Sequence, residues 1–191
     1  MNKLICGIDE AGRGPLAGPV TAAAVILDEN YEIQGLNDSK KLSPKKRALL
    51  ETEIKEHALA YGVASASHIE IDELNILNAS LLAMKRAFDK MCSMLEKKGF
   101  SKVDVSAIID GTFCPAIDVE CRAEPKADGN YPAVMAASIL AKEDRDREMC
   151  ALDKLYPEYG YAQHKGYPTK AHREICKKIG PSPIQRKTFS Y

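Results

Sequence analysis

Apolar residues gather in short runs bounded by turn residues, and the runs from Leu4 to Ile8, Val20 to Leu27, Tyr61 to Ala66, Val103 to Ile109 and Ala116 to Cys121 predict five strands. A different period lies between them. Leu74, Leu77, Leu81, Met84, Phe88, Met91 and Leu95 recur at every third or fourth position, the stripe of a helix that stops near Gly99. Ser43 followed by Pro44 is an N-cap with proline in the first turn, and it opens a helix to about His57. A third helix starts near Pro132 and runs past Leu152; a fourth follows Thr169 and ends at Gly180-Pro181. This order mixes hairpin-like with crossover connections, which predicts an α/β fold with a mixed five-stranded sheet flanked by helices. The expected unit is one domain over 1–191, with 169–191 as a C-terminal helix and tail.

With 191 residues, 45% of them apolar, the chain carries enough material for a sizeable core. No window approaches the ~20 consecutive apolar residues of a membrane span. MNKLICGIDE holds acids where a signal peptide needs an apolar run, so a soluble, cytoplasmic protein is expected. Six cysteines contain no C-x-x-C, and their closest pair, Cys114 and Cys121, is seven residues apart; free thiols in a reducing compartment are expected. Lys plus Arg and Asp plus Glu both number 27, and a net charge of zero argues, on its face, against a polyanionic partner. The distribution is less even. Residues 161–191 hold Lys165, Lys170, Arg173, Lys177, Lys178, Arg186 and Lys187 against the single acid Glu174, a net +6 that leaves the rest at −6. A second knot is Lys40, Lys41, Lys45, Lys46 and Arg47. Such runs are ordinarily solvated helix faces, and they mean more only beside chemistry that needs a polyanion.

That chemistry is suggested by acids at strand ends. The first strand runs into Asp9-Glu10, and the fourth ends in Asp110-Gly111-Thr112. Carboxylates at the edge of a buried strand are costly unless a cation neutralises them, and hard divalent ions prefer carboxylate oxygens. Asp128, just upstream of the third helix, is a third candidate, although it also suits a helix N-terminus as a dipole partner. Asp118, Asp144 and Asp146 are rivals; the last two belong to the charged surface pattern E-D-R-D-R-E. Acids reaching one place from separate segments would hold two metal ions of the kind that drives phosphodiester hydrolysis. Gly12, Gly14 and Gly18 also form a loose G-x-G-x-x-x-G, the start of a dinucleotide fold. A β-prone V-T-A-A-A-V-I-L follows where that fold needs a helix.

The motifs G-I-D-E-A-G-R-G-P-L-A-G-P-V, D-S-K-K-L, I-I-D-G, K-A-D-x-x-Y-P-x-V-x-A-A-S-I-L-A-K and H-K-G-Y-P-T, in order over essentially the whole chain, resemble the type 2 ribonuclease H family, ribonuclease HII. The resemblance implies a ribonuclease H-like fold and an endonuclease that cuts the RNA strand of RNA/DNA hybrids. It also implies incision 5′ of single ribonucleotides in duplex DNA, a step of ribonucleotide excision repair, leaving 3′-hydroxyl and 5′-phosphate ends. By motif, the acids for two divalent cations, Mg2+ or Mn2+, fall on Asp9, Glu10, Asp110 and Asp128. Gly12, Arg13 and Gly14 are implied to contact the ribonucleotide and its 2′-hydroxyl, Tyr167 to pack on the following sugar, and Ser39, Lys40 and Lys41 to grip phosphates. Expected partners are RNA/DNA hybrid and ribonucleotide-containing duplex, met by a monomer away from any membrane. Gln185 stands where many bacterial relatives are expected to carry histidine. Two other readings stay open: a non-catalytic binder of hybrid duplexes, which needs the bases and not the acids, and a dinucleotide-dependent enzyme.

Overall fold

A computed structural model describes residues 3–190; Met1, Asn2 and Tyr191, the ends of the expected domain, lie outside the described residues. Strands β1 (Leu4–Ala11), β2 (Val20–Ile26), β3 (Ala60–Ala66), β4 (Val105–Asp110) and β5 (Glu120–Glu124) form one sheet in the order β3-β2-β1-β4-β5. β1 pairs antiparallel with β2 and parallel with β4, so the sheet is mixed as expected. The chain passes from β1 into antiparallel β2 with no helix between, which removes the dinucleotide reading.

Helices α1 (Pro44–His57), α2 (His68–Lys97), α3 (Pro132–Leu155), α4 (Tyr161–His164) and α5 (Lys170–Ile179) follow the chain order. Alternation along β2 sends Val20, Ala22, Ala24 and Ile26 into one core with Met84, Phe88, Met91 and Leu95 of α2. Ala23 and Val25 face the other way, against Leu50 and Ile54 of α1 and Ile139 and Leu140 of α3. Ser43 caps α1 by accepting from the Lys46 N–H, and Ser67 with Glu70 forms a capping box on α2.

Three expected elements move. The apolar run 116–121 is mostly loop: Ile117 and Val119 pack on the core from outside the sheet, and the strand is Glu120–Glu124, a charged edge strand with no apolar pattern to announce it. Residues 102–104 form a tight turn before β4. Helix α2 begins earlier than its stripe, and a non-helical Asn75 (φ 67°) breaks it, so Leu74 is exposed and Ile71 enters the core in its place.

The contact that brings α3 to the sheet centre is made over Gly7. A Cβ there would lie 2.2 Å from Ala133 C and from Val134 N, so the first turn of α3 rests directly on the β1 backbone. That approach sets the turn before α3, with Asp128, at the C-terminal edge of β1 and β4. Gly7→Ala should therefore destabilise the protein by about 1–3 kcal/mol, the cost of overpacking a close contact. Urea unfolding measures it; a change under about 0.5 kcal/mol would show that α3 shifts freely.

Candidate active site

Parallel pairing sets Ile8 against Ile109, so the next residues, Asp9 and Asp110, come side by side at the C-terminal edge of that pairing. Asp110 Oδ1 accepts from the Ala127 N–H at 3.0 Å, which draws in the turn Ala127–Gly129 and its Asp128. One oxygen each of Asp9, Asp110 and Asp128 falls within a mutual 4.8 Å. Glu10 lies outside that triad. Its carboxylate is 3.6 Å from the Arg13 guanidinium, and its buried Oε2 has no hydrogen-bond partner.

Burial pushes the Asp9 carboxyl well above its ordinary range, and the charges of Glu10 and Asp110 push the same way. A Ser138 hydroxyl and the Glu10 N–H oppose the shift only in part. Asp128 is raised by burial, then by Asp110 and Asp38. Glu10 is raised by burial despite Arg13. Like charges at this spacing, partly desolvated, disfavour one another's ionisation, and a multivalent cation among them offsets that cost. A hybrid-binding protein without catalysis has no use for such a cluster.

Lys40 puts its ammonium 3.9 Å from Asp128 Oδ2; partial burial works against its charge, but Asp38, Asp9, Asp128 and Asp110 raise its pKa. Lys41 is exposed beside it. Ser39 is buried, and its hydroxyl meets the Ser138 hydroxyl at 2.8 Å, so it ties the lysine turn to the residue that touches Asp9. Among the rival acids, Asp144 pairs with Arg147, Asp146 pairs with Lys142, and Asp118 lines a separate pocket beside α2. Arg47, counted with the basic knot, is buried: it donates to the Leu42 carbonyl and pairs with Glu143.

The glycine-rich loop lies against this centre and is held from below by two arginines. Arg145 of α3, 1% exposed, donates to the carbonyls of Pro19, Ala17 and Lys165. Arg186 of the tail, 0% exposed, donates to Gly18, Arg13, Gly12 and Pro19. Gly12 (φ 99°) fits only because it lacks a Cβ, which would lie 2.0 Å from Arg145 Nε. Tyr167 is half-exposed, with its ring 5.9 Å from the Arg145 guanidinium and beside Gly14. Arg145, Arg186, Ser138 and Asp38 are all site residues that sequence reasoning passes over. Each leaves only an indirect trace: Asp38 and Ser138 sit inside the family motifs, and Arg145 and Arg186 inside charged runs that read as solvated faces.

A family model described as Ribonuclease HII matches residues 6–190. The chain is 53% identical over 186 residues to a Ribonuclease HII of Dechloromonas aromatica, covering 97% of this chain and 90% of the relative. Among solved structures it resembles the RNase HII of Archaeoglobus fulgidus, solved in complex with PCNA, at a TM-score of 0.74 and 27% identity over 98% of this chain and 96% of that one. It also resembles the ribonuclease H2 of Pyrococcus horikoshii OT3, at a TM-score of 0.71 and 30% identity over 97% and 93%.

Because the raised acids bind more protons in the folded than in the unfolded chain, metal-free stability falls as pH rises through their folded pKa values. Asp9→Asn keeps the acceptor for the Glu10 N–H and removes one charge. It should stabilise the metal-free protein near neutral pH by about 0.5–2 kcal/mol, as relief of functional strain commonly does. It should also remove the rise in melting temperature that Mg2+ or Mn2+ gives the parent. A lower melting temperature in EDTA, or an intact metal response, would refute this account.

Proposed function

The chain belongs to the ribonuclease HII family, a family of hydrolases, and from that premise we propose an endoribonuclease that hydrolyses the RNA strand of RNA/DNA hybrids and incises duplex DNA 5′ of a single embedded ribonucleotide. The products would carry 3′-hydroxyl and 5′-phosphate ends. The observation that carries this reading is the convergence of Asp9, Asp110 and Asp128 within 4.8 Å, beside the Gly12-Arg13-Gly14 loop.

The donor set fits divalent cations: hard carboxylate oxygens, three of the acids raised toward protonation, and the orphaned Glu10 Oε2. Asp9, Glu10, Asp110 and Asp128 would hold two ions, Mg2+ or Mn2+, which when bound supply an activated water and charge stabilisation at the leaving 3′-oxygen. Lys40, beside Asp128, and the exposed Lys41 would grip phosphates flanking the cut, and Ser39 ties their turn to Ser138. Only the 2′-hydroxyl marks a ribose at a given position, and backbone groups read it without reading the base. Gly12, Arg13 and Gly14 supply that backbone, and Tyr167 beside Gly14 offers a ring face to the next sugar. All of these residues come from one chain, which suits the monomer we propose. Six free cysteines suit the reducing cytoplasm in which we place the enzyme. Among the described residues no helix is long and apolar enough to cross a membrane.

Cleavage of a labelled DNA duplex holding one ribonucleotide, with end mapping, tests the reading. EDTA and Asp110→Asn should each abolish cutting while the fold survives; turnover in Asp110→Asn would exclude the assignment. Arg13→Ala should lower kcat/KM on that substrate by about 10–100-fold, the loss of a charge-assisted contact of about 1.5–3 kcal/mol. Tyr167→Ala should impair the RNA–DNA junction more than an all-RNA strand, and equal loss on both would remove its role.

A further inference from the structure

The Arg186 guanidinium makes its four hydrogen bonds entirely to loop carbonyls, at 2.9 Å to Gly18, 2.9 Å to Arg13, 2.6 Å to Gly12 and 3.0 Å to Pro19. Across a trans peptide the carbonyl and the following N–H point in opposite directions. Drawing the Gly12 and Arg13 carbonyls inward therefore turns the Arg13 and Gly14 N–H groups outward. Among the described residues neither of these N–H groups donates to any protein acceptor, and both residues are exposed. Two adjacent, unpaired amide donors at the rim of the acid cluster form a small anion- or hydroxyl-binding concavity.

The tail is fastened so that Arg186 stays under the loop. Asp72, in the first turns of α2, accepts from the N–H groups of Lys187 and Thr188 and from the Thr188 hydroxyl. Phe189 covers the guanidinium, with its ring centroid 5.0 Å away. The Arg186 N–H donates to Leu16 O, and Gly18 N–H donates to Ile184 O, so tail and loop are also paired through their backbones.

We propose that Arg186 is the positioning residue of the ribose-reading loop, aiming the Arg13 and Gly14 N–H groups at the substrate's 2′-hydroxyl and adjoining phosphate. This rests on reading the 12–14 loop as the ribose-contacting element. Arg186 is sealed beneath the loop and would act through it. Lysine at this position keeps the charge but offers one point of attachment in place of a planar fork with donors to four carbonyls.

The test compares the parent with Arg186→Lys, Arg186→Ala and Asp72→Ala in melting temperature, Mn2+ affinity by calorimetry, and kcat/KM on a duplex holding one ribonucleotide. Arg186→Lys and Arg186→Ala should lose about 10–100-fold in kcat/KM, below the ~10²–10³-fold of deleting a preorganised donor because the loop donors are misaimed and not removed, with Mn2+ affinity unchanged. Millimolar guanidinium should restore Arg186→Ala severalfold, whereas methylammonium at equal ionic strength should not. A kcat/KM within twofold of the parent in both folded variants, or rescue by both cations alike, overturns the proposal. Should neither Arg186 variant fold, Asp72→Ala decides: a severalfold loss at unchanged Mn2+ affinity supports the proposal, and parental kinetics overturn it. Gly14→Pro, which deletes one of the two donors, separates this from the underlying reading. If folded Gly14→Pro cleaves as well as the parent, the loop does not read the ribose; if it is impaired while the Arg186 variants are not, only the positioning role fails.

Discussion

A guanidinium sealed from water without a carboxylate is among the harder things for a fold to accommodate, since an uncompensated buried charge costs several kcal/mol. Arg186 and Arg145 are both sealed, and among the described residues neither has an acid within ion-pair distance. Burial, reinforced by the charge of Arg145, lowers the Arg186 pKa to about 9, which still leaves it cationic at neutral pH. What compensates them is backbone. Charge-assisted hydrogen bonds are worth about 1.5–3 kcal/mol each, and Arg186 alone makes four. The loop from Gly12 to Pro19 is consequently unable to lift away without stranding two cations. Because Arg145 also donates to Lys165 O, and Leu16 N–H donates to Gly166 O, the turn carrying Tyr167 is held to the same scaffold. Loop, tail, α3 and that turn form one mechanical piece.

The carboxylates have the opposite problem. They crowd at the end of two parallel strands with too few cations, and β1 and β4 place them there because the sheet centre is fastened by the α2 core on one face and the α3 contact over Gly7 on the other. The fold's apolar packing holds three raised acids in a geometry they would not choose alone. The negative cluster is open and the positive pair beneath the loop is closed, so on the proposed function the exposed N–H groups and Lys40 are the donors left to face a polyanion.

Much of this was legible in the residues. Alternation in β1 to β3 and the stripe of α2 reflect burial that any packed sheet and helix require. Acids ending apolar strands stand out because desolvated carboxylates have few structural uses, which is why Asp9, Glu10 and Asp110 were visible and Asp128, at a helix entrance, less so. The edge strand Glu120–Glu124 was hidden because an edge needs charge, and the neighbouring Ile117 and Val119 imitated a strand while serving as a lid on the core. Arg145, Arg186 and Arg47 were misread for one shared reason. In sequence, an arginine whose head is satisfied by carbonyls is indistinguishable from one in water, and each lies in a charged run whose ordinary reading is a solvated face.

That misreading changes the meaning of the neutral net charge. Of the seven bases in 161–191, Arg186 is sealed beneath the loop and Lys165 turns its ammonium to the Ala162 carbonyl and Cys150. In the basic knot Arg47 is spent on Glu143. The cations left exposed are Lys40, Lys41, Lys45 and Lys46 at one place, and Lys170, Arg173, Lys177, Lys178 and Lys187 at another. Contacts of exposed cations to phosphates attach a duplex without regard to its sugars and weaken with salt. Discrimination of ribose from deoxyribose needs short donors held at fixed positions, and the loop that would carry them is the one the buried arginines fasten. On the proposed function, affinity and selectivity fall to separate populations of positive charge, one facing the solvent and one turned away from it, and ionic strength would act on the first while leaving the second in place.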